Sequence, residues 1–194
     1  MSKSRQVSSR FAILVRWFKP LGGWHKLNTD GVSCGNLGKA NGGGVIRDYH
    51  GGWVKGFSRS IGHTTSVMAK WWALRDGLIL AIHLGINQLE VELDAKVIVE
   101  MLNSANCPNR SYATLLCDCR SLMARFRQVQ VGHVFRKANK CIDFLGKRDC
   151  SMMENFIVFD TSPSSNLNVL LDTNINELYY YRHVTNTLVS VASL

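Results

Sequence analysis

The chain has 194 residues, of which 46% are apolar and 19% are charged. This composition is typical of a globular protein and excludes a low-complexity or intrinsically disordered chain. Lys and Arg number 23 against 14 Asp and Glu, a net charge of +9, which favours an acidic partner such as nucleic acid but fits a basic soluble protein without one equally well.

Cysteine usage and hydropathy narrow the class of protein. None of the six cysteines lies in a CxxC pair, so we expect no zinc site, and reduced thiols in an intracellular compartment: nucleus, cytoplasm or an organelle. No apolar run approaches membrane-spanning length, so no membrane partner is expected. Residues 1–16 contain no Asp or Glu and predict a disordered basic arm, with an organellar transit peptide as the alternative. We also expect a monomer.

From residue 17 onward, apolar residues recur with either the strand or the helix period. The stretch 31–42 is rich in Gly, Ser and Asn and is predicted to be a loop, and Gly85 stands where a helix would end. The predicted strands are residues 24–30, 43–48, 53–60, 88–93 and 128–135. The predicted helices are residues 66–84, 95–102, 112–126 and 137–147.

This order of elements predicts an α/β domain. Early hairpin strands followed by helix-linked strands give a mixed sheet with helices packed on it. We place the domain at residues 17–150. Residues 151–194 become rich in Asn and Ser, then in Tyr, and predict a loosely attached C-terminal extension in which residues 156–159 are compatible with a short strand.

Three aspartates lie at positions where chemistry is expected. Asp30 closes the first predicted strand, Asp94 closes the fourth, and Asp143 lies in the last helix. Clustered carboxylates stay ionised only beside a cation, and two Mg²⁺ ions can hold the attacking and leaving oxygens of a phosphodiester. Taken singly, each aspartate is more often structural, as a turn residue, a helix N-cap or a surface charge.

Five segments occur together in a characteristic order and spacing: residues 29–31 (TDG), 42–48 (GGGVIRD), 68–78, 92–94 (ELD) and 133–143. This ordered set resembles type 1 ribonuclease H domains over roughly residues 17–150. Four further segments are residues 17–20 (WFKP), 26–31 (KLNTDG), 73–78 (ALRDGL) and 136–139 (RKAN). They are most similar to the plant reverse-transcriptase-like subfamily derived from non-LTR retrotransposons.

The resemblance implies a ribonuclease H-like fold, a five-stranded mixed sheet with three antiparallel and two parallel strands, flanked by helices. It implies cleavage of the RNA strand of RNA–DNA hybrids with Mg²⁺ or Mn²⁺. The family motif is Asp, Glu, Asp, Asp, and Asp30, Asp94 and Asp143 match its first, third and fourth positions as metal ligands. Lys70 stands where the Glu is expected.

Lys70 shares a helical stripe with Leu74 and Leu78, so its side chain should begin on the inward face. At an effective dielectric constant of ~20 and a separation of ~4–5 Å, two unit charges interact by roughly 3–4 kcal/mol, and a divalent ion doubles this. A lysine here therefore opposes metal binding, and we expect strongly reduced activity. Either the ammonium extends to solvent, or it pairs with Asp30 and Asp94 in the space of a metal.

The resemblance also implies further site residues. His133 has the spacing of a histidine that assists proton transfer or product release in the family, although a half-buried strand residue fits the sequence as well. Nucleic-acid contacts are expected at Gly35, Asn36, Thr64, Thr65, Ser66 and Asn139. For most of these residues, an ordinary loop or an ordinary helix N-cap is the alternative interpretation.

Three functional hypotheses follow from these residues. The chain is a metal-dependent endoribonuclease that acts on RNA–DNA hybrids, a hybrid-binding module with little catalysis, or a degenerate retroelement remnant. Lys70 favours the second and third hypotheses, whereas the three retained aspartates favour the first.

Overall fold

The computed structural model of the protein describes residues 7–35, 37–105, 111–136, 156–175 and 180–188. Strands are labelled β1 (Val7–Val15), β2 (His25–Ser33), β3 (Gly38–Arg47), β4 (Trp53–Thr64), β5 (Gln88–Leu93), β6 (Gln128–His133), β7 (Phe156–Phe159) and β8 (Tyr180–Leu188). Helices are labelled α1 (Ser66–His83), α2 (Lys96–Asn103), α3 (Ala113–Met123) and α4 (Ser165–Ile175).

A six-stranded mixed sheet in the order β6-β5-β2-β3-β4-β7 forms the centre of the fold. Strands β3, β4 and β7 join β2 through antiparallel pairs, and β5 and β6 add parallel pairs on its other side. The predicted α/β class and mixed sheet are confirmed. The sheet has six strands where five were expected, because β7 from the predicted extension pairs with the free edge of β4.

Helices α1, α2 and α3 bury one face of the sheet, because parallel strands need helical crossovers and α1 carries apolar residues at helical spacing. Leu74 and Leu78 of α1 are fully buried against Leu27 of β2. Helix α1 ends as predicted, with Gly85 in the left-handed region at φ +70°. Outside the glycine-rich stretch, the predicted bounds of the described strands and helices agree with the structure to within a few residues.

The glycine-rich stretch 31–42 was predicted to be a loop throughout, which is wrong for residues 31–33 and 38–42. Strand β2 continues to Ser33 and β3 begins at Gly38, so that Gly31 and Gly42 face each other as ladder partners. Both glycines lie against α1. A Cβ at Gly31 would lie 2.2 Å from the backbone carbon of Ala69, and one at Gly42 would lie 3.0 Å from the Cβ of Ala73. The glycines are required by helix packing and do not mark a turn.

The opposite face of the sheet carries a small apolar cluster and a buried polar network. Leu167 and Leu171 of α4 pack on Val45 of β3. The expectation of a loosely attached extension does not hold for residues 156–175, since β7 and α4 both join the sheet. Helix α4 was not expected, because its many Asn and Ser residues obscure the leucines that it buries.

A second, two-stranded sheet joins segments from near both ends of the chain. Strand β1 pairs antiparallel with β8, from Val7 opposite Leu188 to Val15 opposite Tyr180. The predicted disordered arm is therefore wrong for residues 7–15, where Val, Phe and Ile have high strand propensity. The predicted helix over 137–147 lies outside the described residues. None of the described helices is long and apolar enough to cross a membrane.

Candidate functional site

The site lies where β2 and β5, neighbouring parallel strands, carry Asp30 and Asp94. Thr29 and Leu93 are partners in the ladder, so the next residue on each strand is an aspartate. This confirms that the two carboxylates project from adjacent strands. Asp30 lies within β2 and not at its end, because β2 continues to Ser33.

Lys70 connects the two aspartates. Its Nζ forms an ion pair with Oδ1 of Asp30 and lies 2.6 Å from Oδ1 of Asp94. The side chains are 15%, 2% and 9% exposed for Lys70, Asp30 and Asp94. Of the two alternatives for Lys70, the structure shows the ion pair with both aspartates. Its ammonium is largely withdrawn from solvent.

Local structure explains how Lys70 reaches both carboxylates. Thr65 caps α1, and its Oγ1 accepts a hydrogen bond of 3.3 Å from the N–H of Met68. Lys70 follows in the second turn of the helix. A Cβ at Gly31 would lie 2.4 Å from the backbone nitrogen of Lys70, so this helix turn lies directly against β2 beside Asp30.

Burial and two neighbouring charges of opposite sign shift the pKa of Asp30. Burial raises its pKa above the usual 3.8, and the nearby charge of Asp94 raises it too. The Lys70 ammonium and the Gly31 N–H, which donates a hydrogen bond of 2.7 Å, lower the pKa but do not cancel these effects. The Lys70 ammonium therefore offsets part of the cost of ionising the buried Asp30 carboxyl.

The described residues do not fit a divalent metal ion. A Mg²⁺ site needs several oxygen ligands with free lone pairs, and the two carboxylates here already bind an ammonium. Within the described parts of the chain, no group of three or more His, Cys, Asp and Glu side chains could hold a metal. Asp143, the remaining predicted ligand, lies outside the described residues.

His133 is the last residue of β6 and the ladder partner of Leu93, so it lies one strand away from Asp94. Its side chain is exposed, and its ring meets Phe135 edge-on with 5.3 Å between centroids. The strand does extend to His133, but the residue is not half-buried. The role of His133 in proton transfer or product release stays a prediction.

The loop between β2 and β3, called the glycine loop, contains Gly35 and lies beside the start of α1. Ser33 Oγ lies 2.7 Å from the carbonyl oxygen of Thr64 and 3.0 Å from that of Gly35. The structure thus brings together Gly35 with the group Thr64, Thr65 and Ser66. Ser33 was missed by sequence reasoning, because it lay in a stretch predicted as a loop. Asn36 and Asn139 lie outside the described residues.

A buried polar network holds β2 and β5 in register behind the two aspartates. The amide of Asn28 donates to Glu92 over 2.7 Å and accepts from Trp17 Nε1 over 3.1 Å. Asn28 and Glu92 are ladder partners, each two residues before an aspartate. Lys26 is 1% exposed and lies 2.7 Å from Glu92. Sequence reasoning missed the network, whose only signal was polar residues alternating with apolar ones in both strands.

An exposed basic pair lies beside the glycine loop. Lys39 of β3 and His63 of β4 are ladder partners, one position away from the Gly38–Thr64 pair. Both side chains are exposed. Sequence reasoning missed this pair as well, since Lys39 fell in the predicted loop and the pairing of β3 with β4 was needed to bring His63 beside it.

Comparisons with known proteins agree with this architecture. Residues 28–149 match the family described as reverse transcriptase-like. An Arabidopsis thaliana protein named as a candidate ribonuclease H is 33% identical over 162 residues, 84% of this chain and 26% of that protein. The chain therefore spans about a quarter of the length of this relative.

Two solved structures of ribonucleases H are similar to the chain. RNase H1 from the halophilic archaeon Halobacterium salinarum NRC-1 is 28% identical with a TM-score of 0.60, covering 63% of this chain and 93% of that one. LC11-RNase H1, solved in complex with an RNA/DNA hybrid, is 25% identical with a TM-score of 0.57, covering 62% and 92%. The chain belongs to the reverse transcriptase-like family and carries a ribonuclease H-like domain.

Proposed function

We propose that this domain binds RNA–DNA hybrids and that its cleavage of the RNA strand with Mg²⁺ or Mn²⁺ is strongly reduced. One observation carries the proposal: the Lys70 ammonium binds the two carboxylates, Asp30 and Asp94, that would otherwise hold the metal. An ammonium in this position repels a divalent ion. Because Lys70 stands in place of the expected Glu, the site also lacks that acidic ligand.

The class of nucleic acid is supported by the relatives and by charge. A similar ribonuclease H has been solved with an RNA/DNA hybrid, and the net charge of this chain is +9. Gly35 permits close backbone approach to a groove, and the start of α1 at Ser66 offers N–H groups to a phosphate. Lys39 and His63 extend this surface with donors suited to phosphate oxygens.

The ion pairs of Lys70 with Asp30 and Asp94 favour a hybrid-binding module with little catalysis over a remnant without function. The ammonium is largely enclosed and is paired with two acids. A degenerating site would be expected to leave buried carboxylates unpaired, which is costly. The hypothesis of a fully active metal-dependent endoribonuclease requires Lys70 to leave this position.

The decisive experiment is a hybrid-cleavage assay in Mg²⁺ and in Mn²⁺ with the wild type and Lys70→Glu. We expect Lys70→Glu to cleave at least about 100-fold faster, which corresponds to about 2.7 kcal/mol in the barrier. Lys19→Glu makes the same charge change at an exposed lysine and should give no gain. Wild-type turnover equal to that of Lys70→Glu would refute the impairment.

Binding is measured separately, with a fluorescent hybrid in EDTA so that no cleavage can occur. We expect the wild type to bind the hybrid more tightly than it binds double-stranded DNA of the same sequence. Binding in EDTA without cleavage in Mg²⁺ supports the module. Neither binding nor cleavage would instead support the remnant.

A further inference from the structure

We infer that Lys70 is a built-in counter-ion that replaces a divalent cation between Asp30 and Asp94, so that neither folding nor hybrid binding by this domain depends on divalent cations. The inference starts from three described side chains. The ammonium contacts one carboxylate oxygen of each aspartate, which is how a bridging cation is held.

The charge balance supports the replacement. Changing a Glu to a Lys alters the local charge by two units, which is the charge of one divalent ion. Two aspartates with a lysine therefore leave the same net charge as two aspartates, a glutamate and a bound Mg²⁺. The substitution neutralises the site to the same extent as metal binding would, without a metal.

The ammonium also has a positional advantage over an ion from solution. Lys70 is attached to α1, and the contact of Gly31 with Ala69 and Lys70 fixes that helix turn against β2. The entropy cost of placing the Lys70 ammonium is largely met when the domain folds, whereas a free ion loses translational freedom each time it binds. Metal at millimolar concentration must displace a cation that cannot diffuse away.

The consequence for nucleic acid rests on the proposed function. Two carboxylates without a cation would repel the phosphates of a hybrid that approaches the carboxyl ends of β2 and β5. With Lys70 in place, that repulsion is reduced permanently, and the phosphate contacts at the rim of the site can form in the absence of Mg²⁺. The affinity for the hybrid should then fall as monovalent salt rises and should stay unchanged when EDTA removes divalent cations.

The first test measures thermal unfolding of the full chain without nucleic acid, in EDTA and in Mn²⁺ or Mg²⁺, for the wild type and Lys70→Glu. A metal at tenfold its dissociation constant raises Tm by about 3–6 °C in a protein of this size. We expect a wild-type shift below about 1 °C and a shift of at least about 3 °C for Lys70→Glu. A wild-type shift as large as that of Lys70→Glu would overturn the inference.

A second variant keeps the test informative if Lys70→Glu does not fold in EDTA. Lys70→Met retains most of the side-chain length but leaves the two carboxylates without a cation. Its Tm in EDTA at neutral pH should fall by about 5 °C or more, and Mn²⁺ should restore part of the loss. A Lys70→Met protein as stable as the wild type in EDTA would show that the ammonium is not a counter-ion.

The binding measurement then separates this inference from the proposed function. The hybrid affinity of the wild type is compared in EDTA and in Mg²⁺ at equal ionic strength, and a change of less than about twofold is expected. Affinity that disappears on chelation overturns the inference but not hybrid binding. Absence of hybrid binding in both buffers overturns the proposed function, while the unfolding measurements still decide the role of Lys70.

Discussion

Asp76 on α1 is a buried carboxylate outside the site whose protonation is coupled to folding. Its side chain is 5% exposed, and Arg59 Nη1 donates to both of its carboxylate oxygens, at 2.9 and 3.0 Å. Burial raises the pKa of Asp76 above 3.8, although Arg59 and Arg75 oppose the shift. The folded protein therefore holds the proton more tightly than the unfolded chain does.

The sign of the pH dependence at Asp76 follows. A raised folded pKa contributes stability that is complete below about pH 3.8, the unfolded value, and is lost as pH rises through the folded pKa. Asn cannot ionise, so the stability of the wild type relative to Asp76→Asn should fall between pH 4 and neutrality. Urea unfolding of both proteins at several pH values measures this difference. A difference that stays constant or rises with pH contradicts the prediction.

Lys70 marks how far a single residue can be interpreted from the sequence. Its helix and its inward direction could be predicted from spacing, and the two aspartates near it from the family resemblance. Whether the ammonium reached solvent or the carboxylates could not, because the outcome depends on the distance between α1 and β2. That distance is set by Gly31, which was predicted to lie in a loop.

At the scale of elements, the contact between α1 and β2 is the one on which the site depends. We predict that Gly31→Ala destabilises the domain by about 3 kcal/mol or more, because the new Cβ would lie 2.2 Å from backbone of α1 and the helix must move. Gly132→Ala is the matched control, since nothing lies within 4 Å of a Cβ at that strand position.

Urea unfolding of the two glycine variants measures the loss. Gly132→Ala should be neutral or slightly stabilising, by up to about 1 kcal/mol, because alanine restricts the unfolded chain. Equal stability of Gly31→Ala and Gly132→Ala would mean that α1 does not rest on β2 as described.

The elements that could be predicted from the sequence are those whose apolar residues recur with a clear helix or strand period. Helix α1 and strand β5 were predicted to within one residue, because apolar spacing and the cap at Gly85 all agree. Strands β2 and β3 were predicted too short, since their glycines lack the side chains that mark a strand. Helix α4 was missed because only Leu167 and Leu171 among its described side chains are buried apolar residues.

At the scale of the whole molecule, the effect of the net charge of +9 on nucleic-acid binding depends on where the individual cations lie. Lys39 is beside the glycine loop and the start of α1, whereas Lys55 lies toward the other end of β4, paired with Asp160. Lys55 and Thr64 are nine positions apart along β4, a distance of about 30 Å along an extended strand. The two lysines therefore distinguish a local phosphate contact from the effect of overall charge.

We predict that Lys39→Ala weakens hybrid binding several-fold at low salt and lowers the slope of log affinity against log salt by about 1, because one phosphate contact is lost. Lys55→Ala removes the same charge at the far end of the sheet and should leave the slope unchanged. Fluorescence anisotropy across a salt series, in EDTA, measures both slopes. Equal slopes for the two variants would place the hybrid elsewhere, and a reduced slope for Lys55→Ala alone would move the interface to the opposite end of β4.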